Sequence, residues 1–240
     1  VFFKTALDAN PNQGQFWISY IDALIHLGRL DAARSILEQG QSMGLKGEVV
    51  DQLASRIQLP QYNQSPLSQA QIDSVVALYS QGQLQEALDE IDVLIKDYPN
   101  ESLLYNISGA CYQALNQLDA AVKSYEQALV IKPDFAEARN NLGNTLQKFG
   151  ELDAAVKCYE QALVIKPDYA EAKNNLGNAL SDLGQLDGAV KCYEQALVIK
   201  PDYAEAKNNL GNALSDLGQL DGAVKCYEQA LVIKPDYAEA

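Results

Sequence analysis

The amino-acid sequence predicts an all-α protein built from repeated pairs of helices, and two observations carry that prediction. Residues 170–203 and 204–237 are the same 34 residues twice, and residues 136–169 differ from them at only seven positions. Within one such unit, apolar residues recur at helical spacing in two separate stretches, which places two helices in each unit. The first stretch contains Leu176, Leu180 and Leu183, and the second contains Val190, Tyr193 and Leu197.

Proline, glycine and aspartate mark the predicted helix ends. A proline recurs every 34 residues and extends the register back through residues 102–135 and 68–101, at Pro99, Pro133, Pro167, Pro201 and Pro235. Gly184 lies where the first helix must end, because glycine adopts the left-handed conformation without a Cβ penalty. Asp187 is predicted to cap the second helix. Asp202 with Glu205 resembles a capping box that opens the next unit.

The amino-terminal part follows the same template less regularly. Residues 1–47 keep a weak match, and Val50, Leu53, Ala54 and Ile57 have the spacing of a short amphipathic helix that would cover an apolar end. The segment PQYNQSP over 60–66 is typical of a linker. We therefore predict a degenerate repeat block over 1–59, a linker over 60–67, and a regular array over 68–240 whose next unit starts at residue 238.

The repeated units resemble the tetratricopeptide repeat, a 34-residue helical repeat with a W-x2-L-G-x2-Y, A-x3-F and terminal proline pattern. Positions of that pattern are occupied by Leu176, Gly177, Leu180, Ala189, Tyr193, Ala196 and Pro201. Lys173 departs from the aromatic residue usual at the first position, as do Arg139 and Lys207. The resemblance implies antiparallel helix pairs stacked into a right-handed superhelical solenoid, with the first helix of each pair lining a concave groove.

Asparagine recurs three times in the first helix of three successive units. Because asparagine is a poor helix former, these residues point to a role other than helix stability. The pattern NNLGN is similar to the asparagine ladder in the repeats of O-GlcNAc transferases, which implies that the amides bond the main chain of an extended peptide. The alternative is that they bond only between neighbouring repeats and with solvent. The residues are Asn140, Asn141, Asn144, Asn174, Asn175, Asn178, Asn208, Asn209 and Asn212.

The family's positions also place acidic side chains on this face. The predicted peptide-binding groove therefore includes Glu137, Glu171, Glu205, Asp182 and Asp216. A polar, acidic groove suits an extended partner segment that is neutral to basic. The formal net charge of −14 argues against nucleic acid or an anionic membrane surface as a partner, because a field of that sign repels phosphate.

Signals of catalysis are weak. Residues 40–44 match the hydrolase motif G-x-S-x-G around Ser42, but the preceding segment is predicted to be helical, where the motif requires a strand. The single histidine, His26, lies inside another predicted helix and excludes an HExxH zinc site. We therefore predict a non-enzymatic protein with no cofactor and no metal.

Cysteine spacing and the lack of export signals favour a cytoplasmic location. Cys158, Cys192 and Cys226 recur every 34 residues, so in a stack they lie about 10 Å apart, beyond the ~7 Å Cα limit for a disulfide. Free thiols favour a reducing compartment. No stretch is long enough for a membrane span. The chain begins without Met, so export stays open, and the sequons at Asn63, Asn100 and Asn106 would matter only then.

Three functions compete on this evidence. The first is a non-catalytic interaction scaffold that binds an extended segment of another protein in the groove. The second is a structural protein whose open repeat ends associate end to end into filaments. The third is the targeting arm of a longer bacterial enzyme whose catalytic domain lies outside these residues.

Overall fold

The computed structural model describes residues 14–26, 29–57 and 67–235, and these ranges contain thirteen α-helices and no strand. The all-α helical-repeat fold is thereby confirmed. The chain divides into two compact units, Val1–Gln64 and Ser65–Ala240. Residues 58–66, which include most of the predicted linker and Asn63, lie outside the described ranges, as does the predicted unit start at residue 238.

Three helices form the described part of the first unit. They are α1 (Gly14–His26), α2 (Leu30–Ser42) and α3 (Glu48–Ile57). Trp17, Ile21 and Leu24 from α1 pack with Ala33 and Leu37 from α2. Helix α3 completes the core with Val50, Leu53 and Ile57. These residues form the apolar face of the predicted amphipathic helix.

The second unit consists of five helix pairs. They are α4 (Gln69–Ser80) with α5 (Leu84–Asp97), α6 (Ser102–Ala114) with α7 (Leu118–Ile131), α8 (Ala136–Phe149) with α9 (Leu152–Ile165), α10 (Ala170–Asp182) with α11 (Leu186–Ile199), and α12 (Ala204–Asp216) with α13 (Leu220–Ile233). From α5 onward, the second helix of a pair packs on the first helix of the next pair. From α6 onward, the first helices of successive pairs also contact each other, which places them along one face.

The helix ends confirm the glycine prediction and correct the two aspartate predictions. Gly184 follows the end of α10 with a φ of 73°, in the left-handed region. The caps of α11 and α12 are Gln185 and Tyr203, and neither makes a side-chain capping bond. Both predicted aspartate caps are therefore wrong. Asp187 lies inside the first turn of α11, and Asp202 precedes the capping residue of α12.

The packing of Tyr203 and of Glu205 accounts for that second error. Lys200 lies 4.9 Å above the ring of Tyr203, a cation–π contact that holds the aromatic residue at the helix start. The Glu205 carboxylate accepts a hydrogen bond from Asn174 of the preceding repeat at 3.3 Å. It therefore joins two repeats, which a capping box would not do.

Close packing within each pair depends on a glycine in the first helix and a tyrosine in the second. A Cβ built on Gly177 would lie 2.5 Å from Cε1 of Tyr193, and the ring is only 2% exposed. Gly109, Gly143 and Gly211 have the same relation to the tyrosine of their own pair. Gly177 therefore allows the two helices to pack closely, because the group that approaches it is a tyrosine ring.

Candidate functional site

The nine predicted asparagines lie on α8, α10 and α12, in three positions per repeat. We call them the first position (Asn140, Asn174, Asn208), the second position (Asn141, Asn175, Asn209) and the third position (Asn144, Asn178, Asn212). Because the first helices contact one another, these positions lie on a face that runs from repeat to repeat. The three positions differ in burial and in hydrogen bonding.

First-position asparagines are buried between repeats, with Asn140 and Asn174 at 0% and Asn208 at 3% exposure. The Nδ2 of Asn175 donates to Oδ1 of Asn140 at 3.0 Å, and the Nδ2 of Asn209 donates to Oδ1 of Asn174 at 3.0 Å. Asn106 takes the same place one repeat earlier and accepts from Asn141 at 3.1 Å. First and second positions therefore form an inter-repeat ladder of amides, and the first-position amides are not on the surface.

Two buried amide atoms in this ladder have no partner among the described residues. They are Nδ2 of Asn140 and Oδ1 of Asn208. In the middle repeat both atoms of Asn174 are satisfied, since its Nδ2 donates to Glu205 and its Oδ1 accepts from Asn209. A buried amide atom without a partner costs about 1 to 3 kcal/mol, so the ladder is most stable at Asn174, where both amide atoms are bonded.

Third-position asparagines are held by tyrosines from the second helix of the same pair. The Tyr159 hydroxyl donates to Oδ1 of Asn144 at 2.8 Å, and the Tyr193 hydroxyl donates to Oδ1 of Asn178 at 2.8 Å. Tyr227 donates to Asn212 at 2.9 Å. Burial raises the pKa of Tyr159 and of Tyr193 above the usual range, which keeps these hydroxyls protonated as donors.

These bonds leave one donor and one acceptor uncommitted in each repeat. Second-position amides use Nδ2 in the ladder, and their Oδ1 atoms have no partner among the described residues. Third-position amides use Oδ1, and their Nδ2 atoms likewise have none within the described ranges. Since each amide is fixed by its other atom, the free donor and the free acceptor have defined directions.

The predicted acidic residues differ in exposure and in hydrogen bonding. Glu171, Glu205, Asp182 and Asp216 are exposed. Glu137 is half-buried and receives a hydrogen bond from Lys166 at 3.0 Å. Burial alone would raise the pKa of Glu137, but the Lys166 ammonium and a backbone hydrogen bond together lower it. Asp182 accepts from Gln147 of the preceding repeat at 2.6 Å, which places it on the first-helix face.

The cationic residues that depart from the family pattern join the two helices of their pair. Lys173 donates to Gln195 at 2.9 Å, Lys207 donates to Gln229 at 2.8 Å, and Arg139 donates to Gln161 at 2.6 Å. Sequence reasoning missed this contact, although the 22-residue spacing between cation and glutamine is constant. A polar contact replaces the apolar one expected at this position.

Ser42 and His26 lie in ordinary helical surroundings. Ser42 is the last residue of α2, and its hydroxyl donates to the carbonyl of Gln39 at 2.7 Å. His26 ends α1 with a side chain 67% exposed, and its Nδ1 lies 2.9 Å from the carbonyl of Asp22. The G-x-S-x-G segment is therefore a helix end and lacks the preceding strand that the hydrolase motif requires.

The four cysteines lie on helices of the repeat array. Cys111, Cys158, Cys192 and Cys226 are free thiols, as predicted, and burial raises the pKa of each. Within the described residues, no three His, Cys, Asp or Glu side chains are placed to hold a metal ion. None of the described helices is long and apolar enough to cross a membrane.

Curated relatives match a short stretch of the chain. The peroxisomal targeting signal receptor of Candida glabrata is 33% identical over 64 residues, which is 27% of this chain and 11% of the receptor. The receptor of the same name from Saccharomyces cerevisiae is 31% identical over 64 residues, or 27% of this chain and 10% of that protein. The matched stretch thus spans about a tenth of these relatives.

Solved structures match more of the chain. MamA aligns at a TM-score of 0.60 and 26% identity, over 69% of this chain and 97% of that one. PilW, described as a widely conserved type IV pilus biogenesis factor, aligns at 0.64 and 25% identity, over 70% and 79%. YrrB, described as a TPR protein with an unusual peptide-binding site, shares the fold at 0.58 and 22% identity, over 78% and 94%.

Models of one repeat family match most of the chain. Residues 109–150, 148–184 and 177–218 match the family described as TPR repeat. Residues 204–237 and 1–57 match families described as tetratricopeptide repeat. Together with the helix pairs and the 34-residue register, these matches show that the chain belongs to the tetratricopeptide repeat family.

Proposed function

We propose that this protein is an interaction scaffold whose first-helix face binds an extended, neutral to basic segment of another protein through its main chain. Tetratricopeptide repeats are protein-interaction modules, and the curated relatives are named as receptors of a targeting signal. The observation that carries the proposal is the free amide donor and the free amide acceptor that recur in each repeat. An extended main chain presents N–H donors and C=O acceptors, so the surface that binds it must offer both an acceptor and a donor.

The spacing of the repeats fits an extended segment. Successive first helices lie about 10 Å apart, the distance at which packed helices meet. An extended chain advances about 3.3 Å per residue, so one repeat corresponds to about three residues of the partner. The asparagines are fixed by Tyr193 and by the inter-repeat bonds, so little side-chain entropy is lost when the partner binds.

Exposed carboxylates give this face its charge preference. Glu171, Glu205 and Asp216 have no cationic partner within 4.0 Å among the described residues. Their field attracts lysine and arginine side chains of a partner and repels acidic ones. The expected partner is thus an extended segment with some basic residues.

The test changes Asn144, Asn178 and Asn212 to aspartate. Aspartate keeps an oxygen for the tyrosine hydroxyl but removes the free Nδ2 donor. Peptides selected from a display library against the unchanged protein should bind the triple variant about ten-fold or more weakly, because each lost bond contributes about 0.5 to 1.5 kcal/mol. The added charge should strengthen attraction to basic peptides, so a loss of affinity cannot be attributed to electrostatics.

A matched control changes Gln117, Gln185 and Gln219 to glutamate at the start of second helices, which adds the same charge at an exposed position that Glu151 already occupies in another repeat. Selected peptides should bind this control as they bind the unchanged chain. Equal affinity for the triple aspartate variant would contradict the proposal, and the asparagines would then serve only as contacts between repeats. Alanine at Asn141, Asn175 and Asn209 is a poorer test, since it also removes the inter-repeat bonds.

A further inference from the structure

The first-helix face changes in character between α6 and α8. From α8 onward the third position of each repeat is an asparagine, whereas it is Ala110 in α6 and Val76 in α4. At the second position of α6, Ile107 replaces the asparagine and is only 8% exposed. The free amide donor and acceptor thus recur on α8, α10 and α12, while α4 and α6 lack the asparagines that supply them.

The amino-terminal end of this face is apolar. Val75 of α4 packs with Ile107 and Cys111 of α6 in one buried cluster, so the two helices are neighbours. The next residue, Val76, is 43% exposed, and Tyr79, one turn later, is 39% exposed. An apolar surface therefore takes the place of the amides where the array begins.

Tyr79 lies on the same face as the asparagines. It occupies the position that Gln147 has in α8, and Gln147 joins the first helices of two repeats through its bond to Asp182. Burial raises the pKa of the Tyr125 hydroxyl, and the proximity of Tyr79 raises it further. That hydroxyl donates to Oε1 of Gln113 in α6 at 3.1 Å. Tyr79 therefore continues the row that Gln113 and Gln147 form.

The carboxy-terminal end of the face carries an uncommitted carboxylate, that of Asp216. One repeat earlier, Asp182 accepts a hydrogen bond from Gln147. Ser181 stands where Gln147 would be needed to do the same for Asp216, and the structure gives Asp216 no hydrogen-bond or ionic partner among the residues it describes. An exposed aspartate in this state attracts a lysine or arginine side chain without giving up a bond within the chain.

We propose that the segment bound by this protein carries an apolar side chain at one end, which packs on Val76 and Tyr79, and a lysine or arginine at the other end, which pairs with Asp216. This rests on the proposed function, in which the asparagines between the two ends hold the main chain. Four repeat steps of about 10 Å each separate α4 from α12. Because an extended chain advances about 3.3 Å per residue, the two side chains are about 12 residues apart.

The periodicity of the asparagines is the reason that such ends are needed. Main-chain bonds are the same for every residue of a partner and for every repeat, so they hold a segment in any register. Two exposed apolar side chains alone would be ordinary on a protein surface. Val76 and Tyr79 lie instead in the same rows as the amides, on a helix that shares a core with α6, which contacts α8. Distinct ends fix one register for the whole segment.

Peptide selection against the full chain tests the proposal. The probe is a display library of random peptides about 16 residues long, which exceeds the span of about 12 residues. Selected peptides should be enriched in a large apolar residue and a lysine or arginine at that separation. By fluorescence anisotropy, Val76→Ser with Tyr79→Ser should weaken a selected peptide about ten-fold. Asp216→Asn should weaken it about three-fold at low salt and less as salt is added.

A change in the peptide identifies which contact is lost. Serine in place of its apolar residue should lower affinity for the unchanged chain about ten-fold, but should hardly change affinity for the variant that lacks Val76 and Tyr79. Matched controls are Phe149→Ser, which removes a 42% exposed apolar residue of α8 outside these rows, and Glu194→Gln, which removes an exposed carboxylate of α11. Both controls should bind as the unchanged chain does, and every variant should keep its helical circular dichroism.

The other outcomes overturn the proposal. They are selected peptides without the two end residues, unchanged affinity in the Val76 and Tyr79 variant or in Asp216→Asn, and equal losses in the controls. Weak binding by the aspartate variant of the third-position asparagines, with normal binding by the end variants, would leave the proposed function standing and this inference refuted. The reverse pattern would refute the proposed function instead, and a selection that yields no peptide would refute both.

Discussion

Gly177→Ala separates helix propensity from tertiary packing. Propensity alone predicts that alanine stabilises α10 by about 1 kcal/mol, since glycine is the poorer helix former. The structure predicts the reverse, because the new Cβ would lie 2.5 Å from Cε1 of Tyr193 and 2.8–2.9 Å from two more ring atoms. That ring is buried, and its hydroxyl is anchored on Asn178 at 2.8 Å, so it must shift by about 1 Å and strain its hydrogen bond.

The expected net effect follows from the two opposing contributions. Overpacking in a well-packed core costs about 1 to 3 kcal/mol, and the approach to three ring atoms places this site at the upper end. After the gain from helix propensity, Gly177→Ala should destabilise the protein by about 1 to 2 kcal/mol. The measurement is the urea midpoint followed by circular dichroism, compared as a midpoint because repeat arrays need not unfold in two states.

Gly188→Ala is the matched control in the other helix of the same pair. Its Cβ would meet only Leu180 Cδ1, the end of a flexible side chain, at 3.3 Å, and the equivalent residue in an earlier repeat is Ala154. This change should stabilise the protein by about 0.5 to 1 kcal/mol. Tyr193→Leu should lower the urea midpoint less in the Gly177→Ala background than in the unchanged protein. In that background, removing the ring also relieves the clash with the new Cβ. A midpoint that rises equally in both alanine variants would refute the packing argument.

Three further predictions concern pH, local stability and Ser42. Burial raises the pKa of Tyr159 and of Cys158 in the folded state. Their contribution to the free energy of unfolding is therefore complete below the unfolded pKa values and is lost as pH rises above about 8.5 for the thiol and about 10 for the tyrosine. The urea midpoint should fall over that range, and less steeply in Tyr159→Phe. Hydrogen exchange should be slowest in residues 136–203, since each repeat contacts only its neighbours and an array frays from its ends; uniform protection up to residue 235 would contradict this. A fluorophosphonate probe should not label Ser42, whose hydroxyl is bonded to Gln39, and labelling abolished by Ser42→Ala would show a nucleophile.

Much of the fold could be predicted from the sequence because each repeat is a local structure. The 34-residue period, the helical spacing of Leu176 and Leu180, and Gly184 at a helix end all depend on residues a few positions apart. The same helix-pair pattern recurs in several repeats, so a helix boundary that is ambiguous in one repeat can be assigned from the next. The predicted capping box failed where a longer-range contact decided, since Glu205 accepts a hydrogen bond from Asn174 of the preceding repeat.

The asparagines show where local reasoning ends. The sequence by itself determined that they recur in register on first helices, and that their amides could serve either a partner or the neighbouring repeat. Only the tertiary structure decided which atoms are used, because the bonding residues are 15 or 35 positions apart and meet only after the helices have stacked. Adjacent positions thus differ: Asn140 is buried between repeats, whereas the Oδ1 of Asn141 has no partner among the residues that the structure describes. Hydrogen bonds need atoms within about 3 Å, and that distance is set by packing, which a periodic pattern does not specify.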